Sequence, residues 1–141
     1  MKTYFIVGGA GFIGSHVGKL LIDEEKDSRI TIFDNFSSGK MWHLEEFKDD
    51  SRLKIVRADI KELDILKESM KGADIVYHFA SNPDISKAIT QPDIDFWEGT
   101  FLTNNVLEAM RVNGVKKLLY ASGSGVYGDT GYTEAGEDYS P

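Results

Sequence analysis

FIVGGAGFIGSH, residues 5–16, joins a short apolar run to three glycines spaced by three, Gly8, Gly11 and Gly14, and then to a helix-like pattern. A strand, a tight turn and a helix in direct succession aim unpaired helix N–H groups and the positive end of the helix dipole at one point, which suits a phosphate. Glycine lets such a turn tighten and lets a phosphate approach the backbone. The stretch fits two registers, Gly8/Gly11/Gly14 as G-x-x-G-x-x-G and Gly9/Gly11/Gly14 as G-x-G-x-x-G. Alone, either register also fits a glycine-rich strand–helix turn with no ligand, so the surrounding sequence decides.

Asp34 lies 20 residues beyond Gly14, at the end of the next apolar run. An acid at that point hydrogen-bonds the adenosine ribose of a bound dinucleotide. Its carboxylate accepts from a free 2′-hydroxyl and repels a 2′-phosphate. No Arg follows it directly, only Asn35-Phe36-Ser37-Ser38-Gly39-Lys40, so NAD is expected rather than NADP. The same segment also reads as a polar loop leading into a short helix. Asp59-Ile60 ends the third apolar run, where it would border the adenine. The spacing of Asp59 and Glu62 serves equally as a cap for the following helix.

Further along the chain, short β-branched or aromatic runs alternate with amphipathic stretches. Strands are expected at Thr3–Val7, Ile30–Phe33, Leu53–Arg57, Ile75–Phe79 and Lys117–Ala121, and helices at Phe12–Glu24, near Lys40–Phe47, at Glu62–Met70 and at about Pro92–Asn113. Ile94, Trp97, Phe101, Leu102, Val106, Ala109 and Met110 recur at helical spacing in the last, and Gly114 follows as a C-terminal cap. Nearly continuous apolar strands mark a parallel sheet buried on both faces. The expected fold is therefore α/β, a doubly wound parallel sheet of five strands in one domain over residues 1–141. From Gly128 onward the periodicity stops and the segment reads as loop.

Composition narrows the function classes. The 141 residues carry a formal net charge of −7 and no cysteine. An acidic domain is a poor partner for nucleic acid or an anionic membrane. Without thiols there is no disulfide framework, and His16, His43 and His78 are too far apart to suggest a metal site. No stretch approaches the 18 apolar residues of a membrane span, and Tyr4–Val7 is too short for a signal-peptide core. A cytoplasmic location is expected. The acidic cluster Glu45, Glu46, Asp49 and Asp50 reads as a solvated face.

The segments GGAGFIGSH, FDNFSSG, ADI, HFAS and YASGSGVYGD occur in an order and at intervals that resemble the N-terminal part of the extended short-chain dehydrogenase/reductase family, in its NAD-dependent epimerase/dehydratase branch of the nucleotide-sugar 4-epimerase type. The resemblance covers essentially the whole chain and implies a Rossmann fold with NAD as cofactor. It places the backbone of Phe12 and Ile13, in the Gly8–Gly14 turn, at the pyrophosphate. Asp34, Asn35, Ser37, Ser38 and Gly39 fall around the adenosine ribose, Asp59 and Ile60 at the adenine, and Phe79, Ala80 and Ser81 along the cofactor. Ser122 opens the serine-rich run beside the nicotinamide and the sugar. The implied reaction carries hydride from C4 of a nucleotide-sugar substrate to the cofactor and back to the other face of a transient 4-keto sugar, in a homodimer whose interface includes the long helix.

Departures from that pattern bear on the chemistry. Where the family often has Asn three residues before a Gly-Thr pair, this chain has Phe96 before Gly99-Thr100. Where epimerases and dehydratases carry a catalytic Ser or Thr, it has Gly123, flanked by Ser122 and Ser124. These two serines are the candidate catalytic hydroxyls; alternatively they only satisfy backbone groups at the strand end. Dehydratases carry acids just after that position, and here Ser124 and Gly125 stand there. Neither Tyr127 nor Tyr132 has a Lys four residues on, so the Tyr/Lys base pair, the later strands and a substrate domain are expected beyond Pro141, and this chain alone is expected to bind NAD without catalysis. A sugar-nucleotide reductase or dehydratase is the alternative within the family, and a non-catalytic NAD-binding sensor the alternative outside it.

Overall fold

The computed structural model describes residues 1–82, 84–132 and 134–139, with backbone alone for Ile85, Ser124 and Gly125. Five strands, β1 (Lys2–Val7), β2 (Ser28–Asp34), β3 (Leu53–Arg57), β4 (Ile75–His78) and β5 (Lys117–Tyr120), form one sheet in the order β3-β2-β1-β4-β5. All four pairings are parallel. Three α-helices cover it: α1 (Phe12–Glu24), α2 (Leu63–Ser69) and α3 (Phe101–Asn113).

Alternation along β1 explains the two-sided cover. Phe5 and Val7 face a core shared with Phe33, Leu66 of α2, Met70 just after that helix, and Leu102, Val106, Ala109 and Met110 of α3. Tyr4 and Ile6 face the opposite core, built with Ile30 and Ile32 of β2, Leu21 and Ile22 of α1, and Leu44 and Phe47. Side chains at successive strand positions leave opposite faces of a sheet, so a run apolar at every position needs helices on both sides. The fold is the doubly wound α/β arrangement that the sequence pattern implies.

Boundaries shift at several points. β2 starts at Ser28, because Ser28 pairs with Lys2 and its hydroxyl is satisfied by the Glu25 carbonyl at 2.6 Å. The short helix near Lys40 narrows to a 3-10 turn at Met41–Leu44, and a second 3-10 segment lies at Ile85–Ile89. The long fourth helix opens with a π-helical turn, Phe96–Thr100, before α3. Gly114 caps α3 with φ of 70°, in the left-handed region as expected. Beyond Gly128 the described residues form turns without helix or strand.

Candidate functional site

The strand order reverses between β1 and β4, and ligands of open α/β sheets bind at the carboxyl ends of the strands at such a point. Here β1 runs into the glycine turn. Gly8 has φ of 75°, and a Cβ on it would stand 2.6 Å from the Ala80 backbone nitrogen at the end of β4. A Cβ on Gly14 would collide with the Gly8 carbonyl and stand 2.7 Å from Gly9 Cα. The turn therefore nests against the β4 end and against the first turn of α1, closer than any other residue allows. Gly9 packs behind the turn against Ile32, so the register facing the cleft is Gly8/Gly11/Gly14.

Gly11 is the N-cap of α1, with no side-chain cap and no acid in the first helical turn. The N–H groups of that turn thus have no side-chain acceptor of their own and are available to an anion. Phe12 and Ile13, the first two residues of α1, are 73% and 56% exposed at the cleft.

Asp34 braces this turn from the end of β2. Its carboxylate is buried and accepts the Ala10 N–H at 2.9 Å and the Phe36 N–H at 2.7 Å. Those donors account for its burial, since a buried charge persists only where it is hydrogen-bonded. Each oxygen keeps acceptor capacity for a ligand hydroxyl. The Ala10 carbonyl is held in turn by the Lys40 N–H at 3.0 Å and by His43 Nδ1 at 2.6 Å. Phe36 adopts φ of 60°, with the Arg57 guanidinium 5.4 Å from the centre of its ring. The reversal after β2 is thus fixed by Asp34 and by Asn35, whose side-chain oxygen accepts the Ser37 N–H at 2.9 Å.

Asn35 also ties β2 to β3: its Nδ2 donates to Asp59 Oδ2 at 2.8 Å. Asp59 precedes the N-cap of α2, which is Glu62 with no side-chain cap, so the expected cap at Asp59 is not formed. Asp59 lines the cleft, and its N–H donates to Glu62 Oε2 at 2.8 Å, closing the turn that leads into α2. Its own carboxylate accepts the Lys61 N–H, and α2 begins one residue later than expected, at Leu63.

These elements enclose a cleft of 310 Å³. Of the expected residues it brings together Gly8, Gly11, Phe12, Ile13, Gly14, Asp34, Asn35, Ser37, Ser38, Asp59, Ile60, Phe79, Ala80 and Ser81. Two others lie elsewhere. Gly39 sits behind the turn, where a Cβ would press on Ala10 Cβ and Asp34 Oδ1 at 2.9 Å, so its smallness serves packing. Ser122 is exposed just past β5 and does not line the cleft. The Ser124 side chain lies outside the described part of the structure. Phe33, Ala58, Glu98 and Leu102 complete the walls, although the sequence assigns none of them a place at the cofactor.

His78, at the end of β4, is 1% exposed. Its Nε2 lies 3.1 Å from Thr103 Oγ1, and its Nδ1 has no partner among the described residues. Burial pushes its pKa down to about 4, so the imidazole is neutral at physiological pH.

The sequence model of the NAD dependent epimerase/dehydratase family matches residues 4–141. The chain belongs to that family. It is 32% identical over 136 residues to a putative UDP-glucose 4-epimerase of Methanocaldococcus jannaschii, covering 95% of this chain and 42% of that relative. It is 31% identical over 125 residues to a dTDP-glucose 4,6-dehydratase of Mycobacterium tuberculosis, covering 88% of this chain and 37% of that one. The structure of a UDP-glucose 4-epimerase of Thermus thermophilus in complex with NAD superimposes with a TM-score of 0.81 at 28% identity, over 99% of this chain and 44% of that one. This chain therefore spans about two fifths of the length of these relatives. The family is NAD-dependent, and no helix among the described residues is long and apolar enough to cross a membrane.

Proposed function

We propose that this chain is the NAD-binding part of a nucleotide-sugar 4-epimerase. The observation that carries the reading is the glycine turn at the strand-order reversal, braced by Asp34 and opening on an N-terminus of α1 that has no side-chain cap. The residues present fit the cofactor. The missing Cβ atoms at Gly8 and Gly14 let the turn close onto Ala80 and Gly9, which sets the first N–H groups of α1 at the cleft. The N–H groups at Phe12, Ile13 and Gly14 would hold that pyrophosphate, and Asp34 would accept from the adenosine ribose. Ala58, Asp59 and Ile60 would border the adenine. When bound, the nicotinamide supplies the acceptor and donor of hydride. A carboxylate at position 34 favours a free ribose 2′-hydroxyl, hence NAD over NADP.

In this reading the chain's own residues place the cofactor, and Ser122 or Ser124, flanking Gly123, supplies the hydroxyl that orients the sugar. Epimerisation is preferred to 4,6-dehydration because Ser124 and Gly125 stand where dehydratases carry acids. None of Tyr4, Tyr77, Tyr120, Tyr127 and Tyr132 has a lysine four residues on, which supports a base supplied from outside this chain, together with most of the sugar site. The test is a pair of measurements on the chain as given: calorimetric titration with NAD and with NADP, and an assay for interconversion of a nucleotide sugar. NAD binding well above NADP, without interconversion, is the expected result. Equal affinities would refute the role of Asp34. Interconversion by this chain would refute the external base. In a longer protein carrying this chain, sugar interconversion without net NADH would mark the epimerase, and net NADH formation or consumption the reductase.

A further inference from the structure

One ion pair stands at the wall of the cleft. Lys61 Nζ lies 2.6 Å from Glu98 Oε1, joining the loop after β3 to the π-helical turn before α3. Glu98 lines the cleft, and Lys61 directly follows Ile60, another lining residue. The same two segments are tied a second time in the core. Asn105 of α3 is buried and donates from Nδ2 to the Ile60 carbonyl at 3.2 Å. Leu102 stands between, one helical turn below Glu98 and also in the wall of the cleft.

The two tethers differ in what it takes to break them. The core bond has no water to replace it, so opening it leaves buried groups unpaired. The rim pair has side chains 46% and 38% exposed, and water readily takes over its hydrogen bonds. The fold therefore keeps the loop after β3 anchored while allowing its rim to open and shut. Charge points the same way. Asp34 and Asp59 already put two carboxylates in the cleft. An unpaired Glu98 would add a third and repel the phosphates of any dinucleotide, which Lys61 prevents. The turn where the resemblance leads one to expect an Asn carries Phe96 instead, and Glu98 is the polar group this turn presents to the cleft.

We propose that Lys61 and Glu98 form a clasp over the adenosine end of the cleft, retaining NAD by slowing its release. This rests on the NAD-binding reading above. The test follows NAD release from the immobilised chain by surface plasmon resonance, for the unmodified protein, Glu98→Gln, Lys61→Met and the charge swap Lys61→Glu with Glu98→Lys. An exposed pair is worth enough to speed release by about two- to fivefold in each single variant. The swap should restore slow release, and each single variant should lower the melting temperature without NAD by no more than about 3 °C, the worth of an exposed pair. Release unaltered in the single variants would overturn the clasp. So would faster release that the swap fails to restore, since that result belongs to a residue touching the ligand directly. Absence of NAD binding by the unmodified chain would instead overturn the reading on which the clasp rests, before any variant is compared.

Discussion

Replacing Asp34 by alanine separates two roles that one carboxylate combines. The side chain accepts N–H groups from Ala10 at 2.9 Å and Phe36 at 2.7 Å, and the residue is only 8% exposed. Alanine leaves both donors without an acceptor where water has poor access. Each such orphan costs about 1–3 kcal/mol, so the loss is about 2–6 kcal/mol. Set against the roughly 5–15 kcal/mol of a native domain, that is a large share. At roughly 3 °C per kcal/mol for a chain of this size, the melting temperature should fall by about 6–18 °C. Asp34→Asn keeps one acceptor oxygen and should fall about half as far. Urea melts of the chain without NAD measure this part directly, as a lower midpoint with an unchanged slope. Titration with NAD at a temperature where both proteins are fully folded measures the other part. Loss of a hydrogen bond to a charged group should weaken binding by about tenfold to a hundredfold. An Asp34→Ala chain that unfolds with the unmodified one would refute the brace. Undiminished NAD affinity in the folded variant would refute the ribose contact.

His78 sets a pH window. Its folded pKa, pushed down to about 4 by burial, lies below the ordinary 6.5; the unfolded chain binds the proton first, so stability present above pH 6.5 should be lost as pH falls towards 4, by about 3 kcal/mol in all. Urea midpoints across that range should show the slope, and His78→Gln should flatten it. Gly8→Ala places a Cβ at φ of 75° and 2.6 Å from the Ala80 backbone nitrogen; it should cost about 2–5 kcal/mol in a denaturant melt and abolish NAD binding. Among the described residues no atom lies within 4 Å of a Cβ added to Gly123, so Gly123→Ser should change stability by less than about 0.5 kcal/mol in the same melt. In a longer, active protein, one of Ser122→Ala and Ser124→Ala should lower turnover by about 10²–10⁴; normal turnover in both would remove the proposed hydroxyl role.

What could be read from the sequence follows the range of the interactions involved. α1 and β3 fall on their expected residues because each is bounded by local signals: a glycine turn before α1, and apolar residues flanked by charge around β3. The start of β2 was hidden because Ser28 and Arg29 interrupt the apolar run, although both pair with β1. The π-helical turn at Phe96–Thr100 was hidden because over five residues its period differs too little from that of an α-helix to disturb the apolar pattern. In the site, the turn and Asp34 announce themselves by spacing. Phe33, Ala58 and Leu102 carry no functional group that would mark them, and they wall the cleft because the topology brings β2, β3 and α3 to one end of the sheet. His43 carries no motif either, yet it secures the Ala10 carbonyl from 33 residues away.

In the proposed reading, the phosphate end of the cleft is made of backbone: glycines that would admit the ligand, and N–H groups that any residue at positions 12 and 13 would present. Side chains there are free to vary, provided the turn keeps its shape, and a brace such as Asp34 keeps it. A site of that kind can persist across relatives about 30% identical that carry out different reactions on nucleotide sugars, as the epimerase and dehydratase similarities illustrate. Chemistry selective among those reactions needs side chains near the sugar, and the resemblance puts those past β5, at Ser122, Gly123 and Ser124. Exchanges confined to that segment should therefore redirect or silence the reaction while leaving NAD affinity within about twofold. Exchanges at Gly8, Gly14 or Asp34 should remove both together.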